Sequence, residues 1–130
     1  NTVEGSFVSS DIDKVANMIN LNVIAPTRLA KAAAGRMARE GRGAIVNIGS
    51  VTAMMAETFS GTYSGTKAYM LNLTQAMQVE LAPAGVRVQA VLPGATRTEI
   101  WERAGIDLNA FPQEMVMGVD DMVDAVLLCL

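Results

Sequence analysis

Tyr63 and Lys67 lie four positions apart in the segment Tyr63-Ser64-Gly65-Thr66-Lys67. In a helix this spacing places both side chains on the same face, one turn apart. An ammonium group beside a phenol favours the phenolate and lowers its pKa, as a general acid–base working at neutral pH requires. A tyrosine and a lysine also occur at this spacing by chance on many helices, so the surrounding sequence must decide the role of the pair.

Ser50 is a second candidate, because it lies just after the β-branched segment Ala44–Ile48, which is bounded by glycines and predicts a buried strand. Ligands bind at the carboxyl ends of strands in open parallel sheets, so a hydroxyl here could hydrogen-bond a substrate carbonyl. A serine at a strand end also commonly closes a turn, and the residues alone leave both interpretations open. Ser60 and Ser64 in the same loop are competing hydroxyls.

Asn22 is a third candidate, because Pro26 follows it by four positions. Proline has no N–H, so the helical hydrogen bond back to the Asn22 carbonyl cannot form. A carbonyl freed in this way usually produces a kink and recruits water or a side chain, which would suit a functional position. A proline kink that only fits the helix around its core explains the same pattern.

These candidates are distributed over alternating helices and strands. The first helix is predicted to begin with Ser9 and Ser10 as the N-cap, ahead of the acidic Asp11 and Asp13, and to end near Arg39. The later predicted elements are the strand Ala44–Ile48, a helix Tyr63–Leu81 with Ala68, Leu71, Ala76, Met77 and Leu81 near one stripe, a strand Val86–Leu92 and a final helix Val119–Leu130.

This order of elements is typical of an α/β fold, in which helical crossovers join parallel strands. Two strands alone cannot form a stable sheet of that kind, so further strands are expected outside these residues. Residues 1–130 are therefore predicted to be a single partial domain. The final helix stops without a capping residue, as if the chain were cut there.

The composition excludes several kinds of site. The chain has no histidine and one cysteine, so catalytic triads that use an imidazole and a structural zinc site are excluded, and no metal site is predicted. A net charge of −3 argues against nucleic acid as a partner. The apolar stretches predict neither a membrane span nor a secretory signal. The single cysteine, Cys129, is expected to be a buried free thiol. A free thiol is typical of a reducing compartment, which predicts a cytoplasmic protein.

Together, Asn22, Ser50 and the pair Tyr63 and Lys67 resemble the catalytic tetrad of the short-chain dehydrogenase/reductase family in residue type, order and spacing. Other segments similar to that family, in the same order, are Gly43–Ser50 and Val86–Gly94 followed by Thr98. The resemblance covers nearly the whole chain. It implies part of a doubly wound parallel-sheet Rossmann fold with three α/β/α layers.

The resemblance also implies a role for each residue of the tetrad. Tyr63 would exchange a proton with the substrate oxygen, and Lys67 would lower the pKa of Tyr63 and bind the nicotinamide ribose. Ser50 would hold the substrate carbonyl or alcohol. Asn22 would support a bound water through its main-chain carbonyl and extend a proton relay to the lysine, which agrees with the hydrogen bond that Pro26 cannot make.

A nicotinamide cofactor, NADP or NAD, is implied by the same resemblance. Pro93, Gly94, Thr96 and Thr98 would frame the nicotinamide, with the Thr98 hydroxyl orienting its carboxamide. The implied reaction is hydride transfer between a carbonyl and an alcohol. Residues that select NADPH or NADH in this family would lie in a half that the chain does not contain, so the preference stays open.

The departure from the family pattern is large. Family members begin with a glycine-rich turn that binds the pyrophosphate, and the nearest candidate here, Gly41-Arg42-Gly43, precedes a strand instead of a helix. Asn1–Phe7 is similar to the loop after the family's fourth strand, so the chain resembles the second half of a longer enzyme. We therefore predict that these residues alone neither fold well nor bind the dinucleotide tightly.

The substrate and the partners are less constrained. Met54, Met55, Phe59, Ile100 and Trp101 would give an apolar lining for a small hydrophobic carbonyl or alcohol, although methionines also serve adaptable core packing and a loop tryptophan often covers a core edge. Apolar residues on more than one helix face fit either burial against the sheet or pairing with a second subunit. In the family that the chain resembles, these helices commonly form a dimer interface, so the resemblance implies a homodimer or homotetramer. Two function classes remain: an NAD(P)-dependent oxidoreductase, and a non-catalytic binding protein or inactive fragment that kept the scaffold.

Overall fold

The computed structural model describes residues 6–58, 60–103, 105 and 107–130. The chain divides into two compact units, Asn1–Leu92 and Pro93–Leu130, and each is described by itself. The first unit contains the helices α1 (Ile12–Ile19), α2 (Ala25–Glu40) and α3 (Gly61–Leu81) and the strands β1 (Gly43–Ile48) and β2 (Val86–Val91). The predicted alternation of helices and strands is confirmed, and each predicted boundary lies within a few residues of the observed one.

The N-cap of α1 is Asp11, so the prediction of Ser9 and Ser10 as capping residues is wrong. The Asp11 carboxylate accepts hydrogen bonds from the backbone N–H groups of Asp13 and Lys14. A carboxylate satisfies these N–H groups and also carries the charge that the helix dipole favours at this end. Ser9 and Ser10 instead hydrogen-bond the carbonyls of the preceding turn.

A π-helical turn at Asn20–Ile24 joins α1 to α2, where the sequence predicts a kink. The backbone N–H of Ala25 donates to the carbonyl of Asn20, one residue farther back than in an α-helix. The hydroxyl of Thr27 donates to the carbonyl of Val23 at 2.6 Å. The interruption that precedes Pro26 is therefore a wider turn, and Asn22 lies inside it.

β1 and β2 run parallel, as predicted, and their register places Gly43 opposite Val86 and Ile48 opposite Val91. The prediction that β1 is buried is only partly right. Ile45 is 7% exposed and belongs to the core, whereas Ile48 is 53% exposed. In the part of the chain that the structure describes, β2 is the one strand that pairs with β1, so the other edge of β1 is not covered by a strand.

The core of the first unit lies between the strand pair and the helices α2 and α3. Its buried apolar members are Ala30, Ile45, Met77, Leu81, Val86 and Val88. Polar contacts also attach α3 to the strands, because Asn47 donates to the Thr74 hydroxyl at 2.9 Å and Gln78 donates to the Val88 carbonyl at 2.9 Å. The face of α3 is thereby set against the strands in one register.

The buried stripe of α3 differs from the predicted one. It consists of Ser64, Thr66, Met70, Thr74, Met77 and Leu81. Ala68 and Leu71 are half-buried and Ala76 is exposed, so only Met77 and Leu81 are correct in the prediction. A buried hydroxyl is tolerated in a helix when it bonds a preceding carbonyl, as Thr74 bonds Met70, and an apolar pattern cannot register such residues.

Glycines make the turns that lead into both strands. Gly41 ends α2 with a φ of 68°, and Gly85 precedes β2 with a φ of 73°. These are left-handed conformations that residues with a Cβ rarely adopt. A Cβ at Gly85 would lie 2.5 Å from the carbonyl oxygen of Gly41. The close approach of these two turns brings the first residues of the strands side by side.

The second unit contains two short parallel strands, β3 (Ala95–Thr96) and β4 (Val116–Met117), and two helices, α4 (Ile100–Arg103) and α5 (Val119–Leu128). The predicted final helix is confirmed. The indole N–H of Trp101 donates to the Thr96 carbonyl at 2.6 Å, and its ring lies 5.5 Å from that of Phe111.

Cys129 is exposed, so the prediction of a buried thiol is wrong. The described side chains of α5, the helix that precedes it, are all exposed or half-buried.

Among the described residues, none of the helices combines the length and the apolar character that crossing a membrane requires.

Candidate active site

Ser50 lies two residues beyond the end of β1 and adopts an extended conformation. It caps a short 3₁₀ turn at Val51–Ala53 by accepting the Thr52 N–H at 3.2 Å, so the turn-closing interpretation is correct. The Thr52 hydroxyl also donates to the Ser50 hydroxyl oxygen at 2.9 Å. Because both lone pairs of Ser50 accept bonds from Thr52, its own proton is left to donate elsewhere.

The side chains of Ser50 and Tyr63 hydrogen-bond to each other. Burial raises the pKa of Tyr63 above its ordinary value of 10.0, and this hydrogen bond, which lowers the pKa, offsets burial only in part. This increase in the pKa of Tyr63 is opposite to the decrease that the spacing of Tyr63 and Lys67 predicts. Tyr63 therefore keeps its proton at neutral pH, which suits a general acid.

Lys67 lies one turn after Tyr63, and its Nζ atom is 5.6 Å from the centroid of the Tyr63 ring. The two side chains thus share a helix face, as predicted. Burial lowers the pKa of Lys67 below its ordinary value of 10.5, because the ammonium form loses hydration. A cation close to the face of a phenol ring is attracted by its π electrons, which holds the pair together.

Asn22 joins the same group of residues through Thr66. The Asn22 side-chain amide donates to the Thr66 hydroxyl at 3.2 Å, and this hydroxyl donates to the Tyr63 carbonyl at 2.7 Å. Thr66 is only 4% exposed. The structure therefore brings together all four candidates of the first unit, Asn22, Ser50, Tyr63 and Lys67, through direct or single-residue contacts.

A cavity of about 430 Å³ opens in the first unit beside these residues and along residues 45–48 of β1, the strand that pairs only with β2 among the described residues. Asn22 and Lys67 line it together with Pro26, Ile48 and Met70. Amide and ammonium groups on an otherwise apolar wall are typical of sites that bind small molecules with a few hydroxyl groups. The ammonium of Lys67 offers up to three donors, which fits the hydroxyls of a ribose.

The predicted nicotinamide-binding residues belong to the second unit. Thr96 is 9% exposed, and its hydroxyl donates to the Gly94 carbonyl at 3.4 Å. Pro93 is half-buried, whereas Gly94 and Thr98 are exposed. Among the described residues, a Cβ added at Gly94 would meet no atom within 4 Å, which leaves the backbone open to a ligand.

The predicted apolar lining is distributed over both units. Met54 is 66% exposed and Met55 is 44% exposed, so neither belongs to the core of its unit. Trp101 is half-buried against Phe111, which agrees with a tryptophan that covers the edge of its own unit. Ile100 is 53% exposed. Phe59 lies outside the described residues.

Thr52 and Thr66 are site residues that the sequence analysis missed. Thr52 is 9% exposed and supports Ser50, and Thr66 supports Asn22 and Tyr63. A hydroxyl two residues after an N-cap or three residues after a helical tyrosine is a known local hydrogen-bonding pattern, and it is the signal that could have found them. Ser64, a competing hydroxyl, is 2% exposed and donates to the carbonyls of Ser60 and Gly61, so it is structural.

Within the described parts of the chain, no three His, Cys, Asp or Glu side chains form a group that could hold a metal ion.

A family model described as short chain dehydrogenase matches residues 2–109. Among curated proteins, a short-chain dehydrogenase of Pyricularia oryzae is 31% identical over 107 residues, which are 82% of this chain and 38% of that protein. An L-rhamnose 1-dehydrogenase of Azotobacter vinelandii is 42% identical over 71 residues, 54% of this chain and 28% of that protein. The chain thus spans about a third of the length of these curated relatives.

Solved structures give the same result for the fold. A short-chain dehydrogenase from Sphingobium yanoikuyae in complex with NADPH is 50% identical, with a TM-score of 0.90 over 98% of this chain and 49% of that one. A bulky-bulky ketone specific alcohol dehydrogenase from Comamonas testosteroni is 44% identical, with a TM-score of 0.85 over 98% of this chain and 47% of that one. The prediction of part of a doubly wound Rossmann fold is confirmed.

Proposed function

This chain belongs to the short-chain dehydrogenase family, and from that premise we propose that it catalyses the NAD(P)-dependent interconversion of a carbonyl compound and an alcohol. The observation that carries the proposal is the hydrogen bond between Ser50 and Tyr63, with Lys67 5.6 Å from the centre of the tyrosine ring. A protonated phenol beside a second hydroxyl donor is the arrangement that a carbonyl oxygen needs when it becomes an alkoxide.

NADP or NAD would bind with its ribose hydroxyls at Tyr63 and Lys67, and Pro93, Gly94, Thr96 and Thr98 would frame the nicotinamide. When bound, this cofactor supplies or accepts the hydride. The cavity lined by Lys67 and Asn22 and the open backbone at Gly94 support its binding. The NADPH complex of the relative from Sphingobium yanoikuyae also supports a nicotinamide dinucleotide.

Tyr63 acts as the general acid in the reductive direction. As the carbonyl carbon gains a hydride, the electron pair of the C=O π bond moves to oxygen, and Tyr63 transfers its phenolic proton to that oxygen. When a carbonyl compound binds, Ser50 turns the proton that it donates to Tyr63 toward the same oxygen and holds that oxygen in place. The product is an alcohol, and Tyr63 is left as a phenolate.

Lys67 and Asn22 return a proton to Tyr63. The ammonium of Lys67 stabilises the phenolate beside it, and Asn22 is proposed to hold a water through its main-chain carbonyl that passes a proton to the lysine. This carbonyl cannot accept a helical bond from Pro26, which supports a further partner there. In the oxidative direction the same residues carry the proton out.

The proposed substrate is a hydrophobic ketone or the corresponding secondary alcohol. Exposed Met54 and Met55, after β1, and exposed Ile100, at the start of α4, supply apolar surface, and the relative from Comamonas testosteroni acts on bulky ketones. A panel of ketones graded by the size of both substituents, assayed with NADPH and NADH, tests the proposal. Turnover confined to polar or charged carbonyl compounds would contradict it.

We also propose a cytoplasmic homodimer or homotetramer. Apolar side chains remain highly exposed on three helices, with Ile12 at 73%, Leu29 at 72% and Val79 at 79%. Exposed apolar surface of this kind is typical of a subunit interface. Sedimentation equilibrium should give two or four times the monomer mass, and a strictly monomeric protein would contradict the proposed assembly.

The substitution Tyr63→Phe tests the proposed mechanism. Without the phenolic oxygen the proton transfer is lost, so turnover should fall by roughly 10²–10⁴-fold, while the fold is kept. Tyr69→Phe is the matched control, because Tyr69 lies on the same helix, 41% exposed, and has no role in the mechanism. Equal turnover in the wild type and Tyr63→Phe would overturn the role of Tyr63. Dinucleotide binding without turnover on any carbonyl would favour a non-catalytic protein.

A further inference from the structure

One buried hydroxyl touches two of the four proposed catalytic residues. Thr66 accepts a hydrogen bond from the Asn22 amide and donates one to the Tyr63 carbonyl, and it precedes Lys67 in the chain. We propose that Thr66 is a positioning residue, whose hydroxyl holds Asn22 and the helical turn of Tyr63 and Lys67 in one fixed arrangement. This inference rests on the proposed function.

The π-helical turn explains why an anchor is needed at this point. Asn22 lies in a segment that departs from α-helical hydrogen bonding, and Pro26 cannot donate to its carbonyl. The contact between Asn22 and Thr66 links this turn directly to α3. Asn22 and Lys67 line the same cavity, so a shift of the turn would change the geometry between the proposed water site and the ammonium.

The same helix contains a matched structural contact. Two turns after Thr66, the Thr74 hydroxyl accepts from the Asn47 amide at 2.9 Å and donates to the Met70 carbonyl at 2.6 Å. Thr74 is fully buried and attaches α3 to β1 instead of to the π-helical turn. Removing either hydroxyl leaves one half-buried amide without its acceptor, so both changes should lower stability in a similar way.

The test compares Thr66→Val, Thr66→Ser and Thr74→Val, each introduced into the complete protein purified from its native source or expressed at full length. Valine keeps the shape of threonine without the hydroxyl, and serine keeps the hydroxyl. Two quantities are measured: kcat for ketone reduction, and the pKa of Tyr63 from the NMR signal of tyrosine labelled with carbon-13 at Cζ. The Tyr63 signal is identified by its loss in Tyr63→Phe.

Thr66→Val should lower kcat by about 10- to 100-fold, because small displacements of catalytic groups have effects of this size. It should also raise the pKa of Tyr63, since Tyr63 loses its alignment with the Ser50 hydroxyl, whose bond lowers that pKa. Thr66→Ser should keep both wild-type values. Thr74→Val should change thermal stability alone.

The inference is overturned if Thr66→Val leaves both quantities at the wild-type values, or if Thr74→Val changes them equally, because Thr66 then serves stability only. The NMR titration needs no turnover. A wild type without carbonyl reduction would therefore refute the proposed function, and the pKa of Tyr63 would still decide whether Thr66 positions that residue.

Discussion

At Tyr63, burial decides when the phenol releases its proton. The pKa lies above 10.0, so the protonated form persists throughout the neutral range. We expect ketone reduction to be independent of pH near neutrality and to fall as the pH rises through the pKa of Tyr63, and alcohol oxidation to rise over the same alkaline interval. Initial rates in both directions across pH measure this. A reductive rate that already falls between slightly acidic and neutral pH would contradict it.

At Lys67, burial opposes the charge that the mechanism uses. A lowered pKa in the folded state means that stability decreases as the pH falls from 10.5 through the folded pKa. Lys67→Met removes the free-energy penalty of burying an ammonium group. The Tm of this variant at neutral pH should therefore exceed that of the wild type, while turnover is lost. The exposed Lys31 provides the control, and Lys31→Met should change neither quantity. A Tm of Lys67→Met below that of the wild type at neutral pH would show that the ammonium stabilises the fold.

At the scale of elements, the turns before β1 and β2 depend on glycine. Gly85→Ala places a Cβ 2.5 Å from the Gly41 carbonyl oxygen and forces a left-handed φ, so it should destabilise the first unit by about 1–2 kcal/mol or more. Gly65→Ala is the opposite case, because Gly65 lies inside α3 with open space around it among the described residues, and alanine should stabilise by about 0.5–1 kcal/mol. Chemical denaturation of both variants measures the contrast, and equal effects of the two changes would refute it.

The helices also show where apolar periodicity stops being informative. The C-terminal end of α3 follows from Pro83 and Gly85, and the C-terminal end of α2 follows from Gly41. Which face of α3 is buried depends on Thr66 and Thr74, whose hydroxyls bond within the helix and accept from asparagines far away in sequence. Asn22 lies 44 positions from Thr66, and Asn47 lies 27 positions from Thr74. Contacts between residues so far apart leave no periodic pattern in the local sequence.

For the whole molecule, the strand pair is the weak point. A sheet needs about three or more strands for independent stability, and β1 pairs only with β2 among the described residues. Residues 1–130, isolated from any other polypeptide, should therefore melt over a broad range and bind NADPH and NADH weakly. Circular dichroism melting and a fluorescence titration with each dinucleotide measure this. A sharp cooperative melt, or tight binding by the isolated residues, would show that the strand pair is sufficient.

The sequence by itself determined the order of the main helices and strands and the α/β class, because glycine and proline breaks and local periodicity are properties of neighbouring residues. It also supplied the four residues of the candidate site, through the resemblance of their types, order and spacing to the short-chain dehydrogenase family. The tertiary structure alone decided the pKa direction of Tyr63, the exposure of Cys129 and the contacts of Thr52 and Thr66. These depend on which side chains pack over each group, and therefore on residues brought together from distant parts of the chain.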